Sequence, residues 1–170
     1  TWKAIKISKV RLIDGKKFSL ISEFEATQAL PPHPNIANYE AVYQYQMANG
    51  MFDYAIMQFY DEGNLKQLLQ NNVLNNKQKS DIVNGLIEGI SYLHRYKIIH
   101  RDIKPSNIMI VKDPLGKFIP KIADFGLSRF VDNDASFMTN SFGGGTLEYS
   151  SPEQLYCKPL KYNSDLWSFG

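Results

Sequence analysis

Hydrophobic and polar positions change period several times along the chain. Trp2 to Ile7 alternates apolar and polar residues, the period-two pattern of a strand with one face buried. Asp14-Gly15 is a turn signal. Lys17 to Leu30 contains good helix formers and no Gly or Pro, with Leu20, Phe24 and Leu30 as a loose apolar stripe, so it reads as a helix. Pro31-Pro32 must end that helix, because proline disfavours helical geometry in the residue before it. Tyr39–Met47 and Met51–Phe59 are rich in aromatic and aliphatic residues around Asn49-Gly50, which predicts a hairpin. A short helix is predicted at Leu65–Leu69. A long one spans about Asn76 to Arg95, with Ile82, Val83, Leu86, Ile87, Ile90 and Leu93 as its buried face. Ile108–Val111 and Lys121–Ala123 read as short strands joined by a turn at Asp113–Gly116. Residues 127–151 show no period and read as a long functional loop.

Composition narrows the class only slightly. The 170 residues are 44% hydrophobic and 21% charged, as in an ordinary globular domain. A net charge of +2 and the lack of a basic tract give no reason to expect a nucleic-acid partner. Cys157 is the only cysteine, so an internal disulfide is excluded and a reducing, cytoplasmic setting is favoured. No apolar run reaches the roughly 18–20 residues that span a bilayer.

The chemistry concentrates in His100-Arg101-Asp102-Ile103-Lys104-Pro105-Ser106-Asn107 and in Asp124-Phe125-Gly126. Together these offer a proton acceptor, a fixed positive charge, an amide oxygen and a second carboxylate, which is what phosphoryl transfer from a magnesium nucleotide needs. Any one of them alone reads as a turn or cap residue. Taken together, HRDIKPSN resembles the catalytic loop of eukaryotic protein kinases, and DFG resembles their metal-binding motif.

That resemblance implies a set of roles. Asp102 would accept the proton of the substrate hydroxyl, and Lys104 would offset charge on the transferring phosphate. Lysine at that position is the pattern of serine/threonine kinases. Asn107 and Asp124 would bind Mg2+, and Lys6 would hold the ATP phosphates and pair with a helix glutamate. Glu23 fits that glutamate better than Glu25 when measured back from Leu30 and His33-Pro34-Asn35-Ile36. Met57-Gln58-Phe59-Tyr60 resembles the hinge: Met57 would guard the adenine pocket, the Gln58 and Tyr60 backbones would bond adenine, and Ala4 and Met109 would pack on its faces. Arg101 implies control by a phosphate on the long loop, with Ser136, Thr139 and Ser141 as acceptors for an upstream activating kinase. Thr146 resembles the substrate-docking threonine, Ser151-Pro152-Glu153 the family's APE, and Asp165 the aspartate that braces the catalytic loop. Gly143-Gly144-Gly145 lacks the following Lys-Ser/Thr of a phosphate cradle and reads as loop.

The implied fold is a two-lobed α+β kinase, with residues 1–60 as small lobe and hinge and 61–170 as a mainly helical lobe. The implied activity is transfer of the ATP γ-phosphoryl group to Ser or Thr of a protein substrate. Two departures stand out. No GxGxxG loop precedes Lys6, and Thr27 stands where the family places a large apolar residue against the DFG phenylalanine. The sequence therefore reads as a kinase domain truncated at both ends, weak or inactive alone. The alternative is a non-catalytic, kinase-like binding scaffold. Against it, Lys6, Asp102, Asn107 and Asp124 are all present.

Overall fold

The computed structural model describes residues 2–13, 16–130 and 146–170. The alternating N-terminal segment forms β1 (Lys3–Lys9), and its side chains alternate between exposed and half-buried. A short antiparallel hairpin follows, β2 (Arg11–Ile13) and β3 (Lys16–Phe18), and then helix α1 (Leu20–Gln28). This corrects the expectation of a helix from Lys17 to Leu30. Residues 16–18 form β3, paired with β2, and Ser19 is extended with its hydroxyl accepting from the Ile21 N–H, an N-cap that fixes the helix start.

Strands β4 (Tyr39–Met47) and β5 (Gly50–Gln58) make the aromatic hairpin, and β1 adds to the far edge of β5, giving the antiparallel order β1-β5-β4. Met47 faces Gly50, so the loop is Ala48-Asn49. Gly50 carries φ 133°, a conformation that suits only glycine. The β4–β5 register slips between Tyr39 and Ala41, a bulge.

The chain then becomes mainly helical. Helices α2 (Leu65–Gln70) and α3 (Asn76–Arg95) both begin with capping boxes, Asn64 with Gln67 and Asn75 with Gln78. Ile82, Leu86, Ile90 and Leu93 are buried as expected, but Val83 and Ile87 are 44% and 47% exposed. At about 100° per residue they lie beyond the edge of the stripe. The buried arc extends the other way, through Gly85, Gly89 and Tyr92. The rest of the described chain is β6 (Ile98–Ile99), β7 (Ile108–Lys112), β8 (Phe118–Ile122), β9 (Arg129–Phe130), α4 (Pro152–Leu155) and α5 (Asn163–Phe169). β7 pairs with β8 and β6 with β9, both antiparallel. A continuous core of α3 residues with Ile98, Ile103, Ile108, Ile110, Ile122 and Phe125 lies directly beneath the HRD and DFG segments. The architecture is α+β, a small sheet with one helix ahead of a helical part, as the sequence implied.

Candidate active site

The catalytic-loop segment leaves β6 and is gripped from below. Asp165, fully buried on α5, accepts from the backbone N–H of His100 (2.9 Å) and of Arg101 (2.8 Å), and lies 2.9 Å from His94 Nε2. Gln154 Nε2 donates to the Arg101 carbonyl (2.8 Å). These bonds hold Arg101 at φ 73°, a left-handed conformation that costs roughly 1–2 kcal/mol for a side chain of this type. The buried His100 ring accepts at Nδ1 from the Asp102 N–H (3.3 Å), so Nε2 is the protonated nitrogen and donates to the Ala123 carbonyl (3.1 Å). Burial lowers the pKa of His100, against the opposing pull of Asp165, and keeps the ring neutral.

Asp102 is thereby set beside His100, buried and with both carboxylate oxygens engaged. One carboxylate oxygen takes Lys104 Nζ (2.7 Å) and Asn107 Nδ2 (2.8 Å). The other takes the Thr146 N–H (3.2 Å), with the Thr146 hydroxyl at 3.4 Å. Lys104 Nζ also donates to Thr146 Oγ1 (2.6 Å). Asn107 gives its amide N–H groups to Asp102, side chain and carbonyl, so its amide oxygen is the group available to a cation.

The DFG segment returns beside this loop because Ala123 N–H donates to the Asn107 carbonyl (2.9 Å). Phe125 is buried edge-on to His100, with centroids 5.0 Å apart. Asp124 sits at φ 68° and meets Lys6 Nζ at 3.2 Å, across 118 residues of sequence. Lys6 also lies 3.5 Å from Glu23 Oε2, whereas Glu25 is exposed. A Cβ on Gly126 would come 2.8 Å from Glu23 Oε1, so a larger residue there would push the Glu23 carboxylate aside. Burial works to lower the Lys6 pKa, but the charge of Glu23, the hydroxyl of Tyr39 and the charge of Asp124 outweigh it and raise it. Burial raises the Glu23 carboxyl, opposed by Lys6 and by a hydrogen bond from Tyr39. Thr27 is buried, and its hydroxyl donates back to the Glu23 and Phe24 carbonyls.

Ala4 pairs with Met57 across β1 and β5, and Lys3 with Gln58. Tyr60 is buried just past β5, its hydroxyl pushed up to about 12 by burial and by Glu40. Met109 is half-buried on β7 and bridges to Asn64. The Arg101 guanidinium donates to the Leu127 carbonyl (3.2 Å). Ser136, Thr139, Ser141 and the three-glycine run lie outside the described residues.

Residues 2–170 match the family model described as the protein kinase domain. The chain belongs to the protein kinase family. It is 32% identical to the interferon-induced, double-stranded RNA-activated protein kinase of Mus musculus, over 93% of this chain and 34% of that one. A probable serine/threonine-protein kinase of Clostridium acetobutylicum is 30% identical over 98% of the chain and 24% of its own length. A calcium/calmodulin-dependent protein kinase type 1 of Macrobrachium nipponense is 31% identical over 98% and 46%. The chain thus spans less than half the length of each of these relatives.

Sequence reasoning overlooked three polar residues that hold these segments in place. Gln154 was legible, because Ser151-x-x-Gln154 is a capping-box pattern. Asp53 was legible as a lone acid inside an apolar strand, and it is fully buried. Tyr39 carried no signal, since it looks like any aromatic residue of a strand.

Proposed function

We propose that the protein transfers the γ-phosphoryl group of ATP to a serine or threonine hydroxyl of a protein substrate. The observation that supports this reading is the meeting of Lys6 with both Glu23 and Asp124, which joins the sheet, α1 and the DFG segment at one ammonium. Lys6, fixed by Glu23, orients the nucleotide phosphates. Asp102 orients the attacking hydroxyl and takes its proton as the new O–P bond forms, while the bond from the γ-phosphorus to the β,γ-bridging oxygen breaks and ADP leaves. Lys104 sits beside Asp102 and offsets charge on the phosphoryl group in flight. Lys104 also favours Ser/Thr over Tyr acceptors.

The donor set suits magnesium brought in with the nucleotide. Asn107 and Asp124 are two hard oxygen donors, and Asp124 is half exposed. Among the described residues no cluster of three or more His, Cys, Asp or Glu forms a separate metal cage. Asn107 and Asp124 would hold the ion, which when bound neutralises phosphate charge. Adenine would lie between Ala4 and Met109, against Met57 and the Gln58 and Tyr60 backbones. In this reading residues 1–60 and 61–170 are the two lobes, and Arg101 is the receptor for a phosphate on Ser136, Thr139 or Ser141. A non-catalytic scaffold is disfavoured because Lys6, Asp102, Asn107 and Asp124 are all retained.

The test is ATP-dependent phosphorylation of a protein substrate by the full-length protein beside its Asp102→Asn variant. Loss of a general base lowers turnover by about 100-fold or more. Equal activity would overturn the mechanism, and phosphotyrosine as the main product would overturn the role given to Lys104.

A further inference from the structure

Lys6 and Glu23 do not make a short direct ion pair. Their closest atoms are 3.5 Å apart, at the outer limit of a hydrogen bond. Between them stands Tyr39, whose hydroxyl accepts from Lys6 Nζ (2.9 Å) and donates to Glu23 Oε2 (2.9 Å). The ammonium also lies 5.6 Å from the Tyr39 ring centroid.

The fold delivers this tyrosine on purpose-built backbone. Tyr39 pairs with Met57, and Met57 with Ala4, so the three form one row across the sheet. Lys6 and Ala55 lie two residues along, on the same face. The bulge after Tyr39 breaks the register at its own strand end, where such irregularities re-aim a side chain. Burial and the neighbouring Glu23 raise the phenol, so the hydroxyl keeps the proton it gives to Glu23.

We propose that Tyr39 is a positioning residue for phosphoryl transfer, its hydroxyl bridging Lys6 and Glu23 and so fixing where the ammonium meets the nucleotide phosphates. The proposal rests on the reading of Lys6 as the phosphate-holding lysine. An ammonium has three N–H donors, and here they face Tyr39, Glu23 and Asp124. The Asp124 carboxylate is the more exposed of the two acids, so an incoming phosphate competes for the donor aimed at it. Tyr39 and Glu23 keep the other two, and hold the ammonium while that exchange takes place. Both Tyr39 bonds involve a charged partner and are of the stronger kind.

The experiment measures kcat and KM for ATP in the full-length protein for Tyr39→Phe, Tyr39→Leu, Glu23→Gln, the Tyr39→Phe/Glu23→Gln double variant and Lys6→Met. Activity is normalised to the folded fraction read from melting curves. Tyr39→Phe keeps the ring and lowers kcat/KM for ATP about 10-fold, as loss of one hydrogen bond to a charged group should. KM for the protein substrate does not move. In the Glu23→Gln background the same change costs less than about 3-fold, because the bridge has already lost its far end. Tyr39→Phe activity within twofold of wild type would overturn the proposal, as would a loss wholly accounted for by unfolding or an equal loss in both backgrounds. Wild-type activity in Lys6→Met would instead overturn the reading of Lys6 itself.

Discussion

Replacing Asp165 by asparagine changes one atom's chemistry and leaves the shape of the side chain intact. The carboxylate accepts from two backbone N–H groups, those of His100 and Arg101, with His94 Nε2 2.9 Å away. An asparagine keeps one acceptor oxygen and turns an NH2 toward a second donor. One buried backbone N–H is then left unpaired, at about 1–3 kcal/mol, and the surviving bond falls from the charge-assisted range to the neutral one, roughly another 1 kcal/mol. The sum is about 3 kcal/mol. At about 2–4 °C per kcal/mol for a domain of this size, the melting temperature drops by about 6–12 °C. The lost and weakened bonds are those that hold Arg101 in its left-handed conformation, immediately before Asp102. Activity per folded molecule should therefore fall too, by at least about 10-fold. Thermal melting and a phosphorylation assay at a temperature where the variant is folded give both numbers. A variant within about 0.5 kcal/mol of wild type and fully active would refute the idea that Asp165 holds the loop.

Gly85→Ala tests packing against propensity. Alanine in mid-helix should add about 1 kcal/mol, but its Cβ would come 2.7 Å from both Asn35 Nδ2 and Pro120 Cγ, and Asn35 is itself bonded to the Pro120 carbonyl. Overpacking of about 1–3 kcal/mol prevails, so urea denaturation should show a lower midpoint, and a higher one would refute the clash. His33 tests pH dependence. Its Nδ1 accepts from the Asn35 N–H (3.2 Å), its ring stacks on Tyr92 at 4.4 Å, and its pKa lies below the ordinary 6.5 through burial, with Glu88 opposing and Arg95 and Lys121 adding. The unfolded chain therefore takes up this proton first, and stability falls as pH drops below about 6.5 until the folded state is protonated as well. His33→Phe should lose less stability than wild type between pH 7.5 and 5, measured by urea midpoints, and parallel losses would remove His33 as the cause.

The HRDIKPSN and DFG segments were legible because each is an unbroken run of residues, although the bonds that hold the first come from Asp165, Gln154 and Thr146, far along the chain. The long helix was legible in its bounds, since Asn75 and Arg95 are ordinary end signals. Its buried face was read too far round, taking in the exposed Val83 and Ile87, because counting apolar residues ignores glycine. Gly85 and Gly89 face the core, where Asn35 and Pro120 need the room. The start of α1 was missed because Lys16–Phe18 has helix-compatible composition and becomes strand only through pairing with β2. Strands β6 and β9 are two residues each and too short for any period to show. Tyr39 was invisible for a different reason: its partners Lys6 and Glu23 lie 33 and 16 residues away, and only the folded sheet brings them to its hydroxyl.

Asp53, buried in β5, accepts from Ser19 Oγ (2.6 Å) and the Leu20 N–H (2.8 Å) with one oxygen and from Gln44 Nε2 (2.7 Å) with the other. These bonds pin the first residue of α1 to the sheet and make it the fulcrum of a lever. At 1.5 Å rise per residue, Glu23 stands only ~4.5 Å along the helix from that fulcrum and Gln28 ~12 Å. A tilt of ~15° about Leu20 carries Gln28 through ~3 Å but Glu23 through only ~1.2 Å by the same rise. A push at the Pro31-Pro32 end thus reaches the Glu23 carboxylate as a displacement nearly three times smaller, with correspondingly greater force.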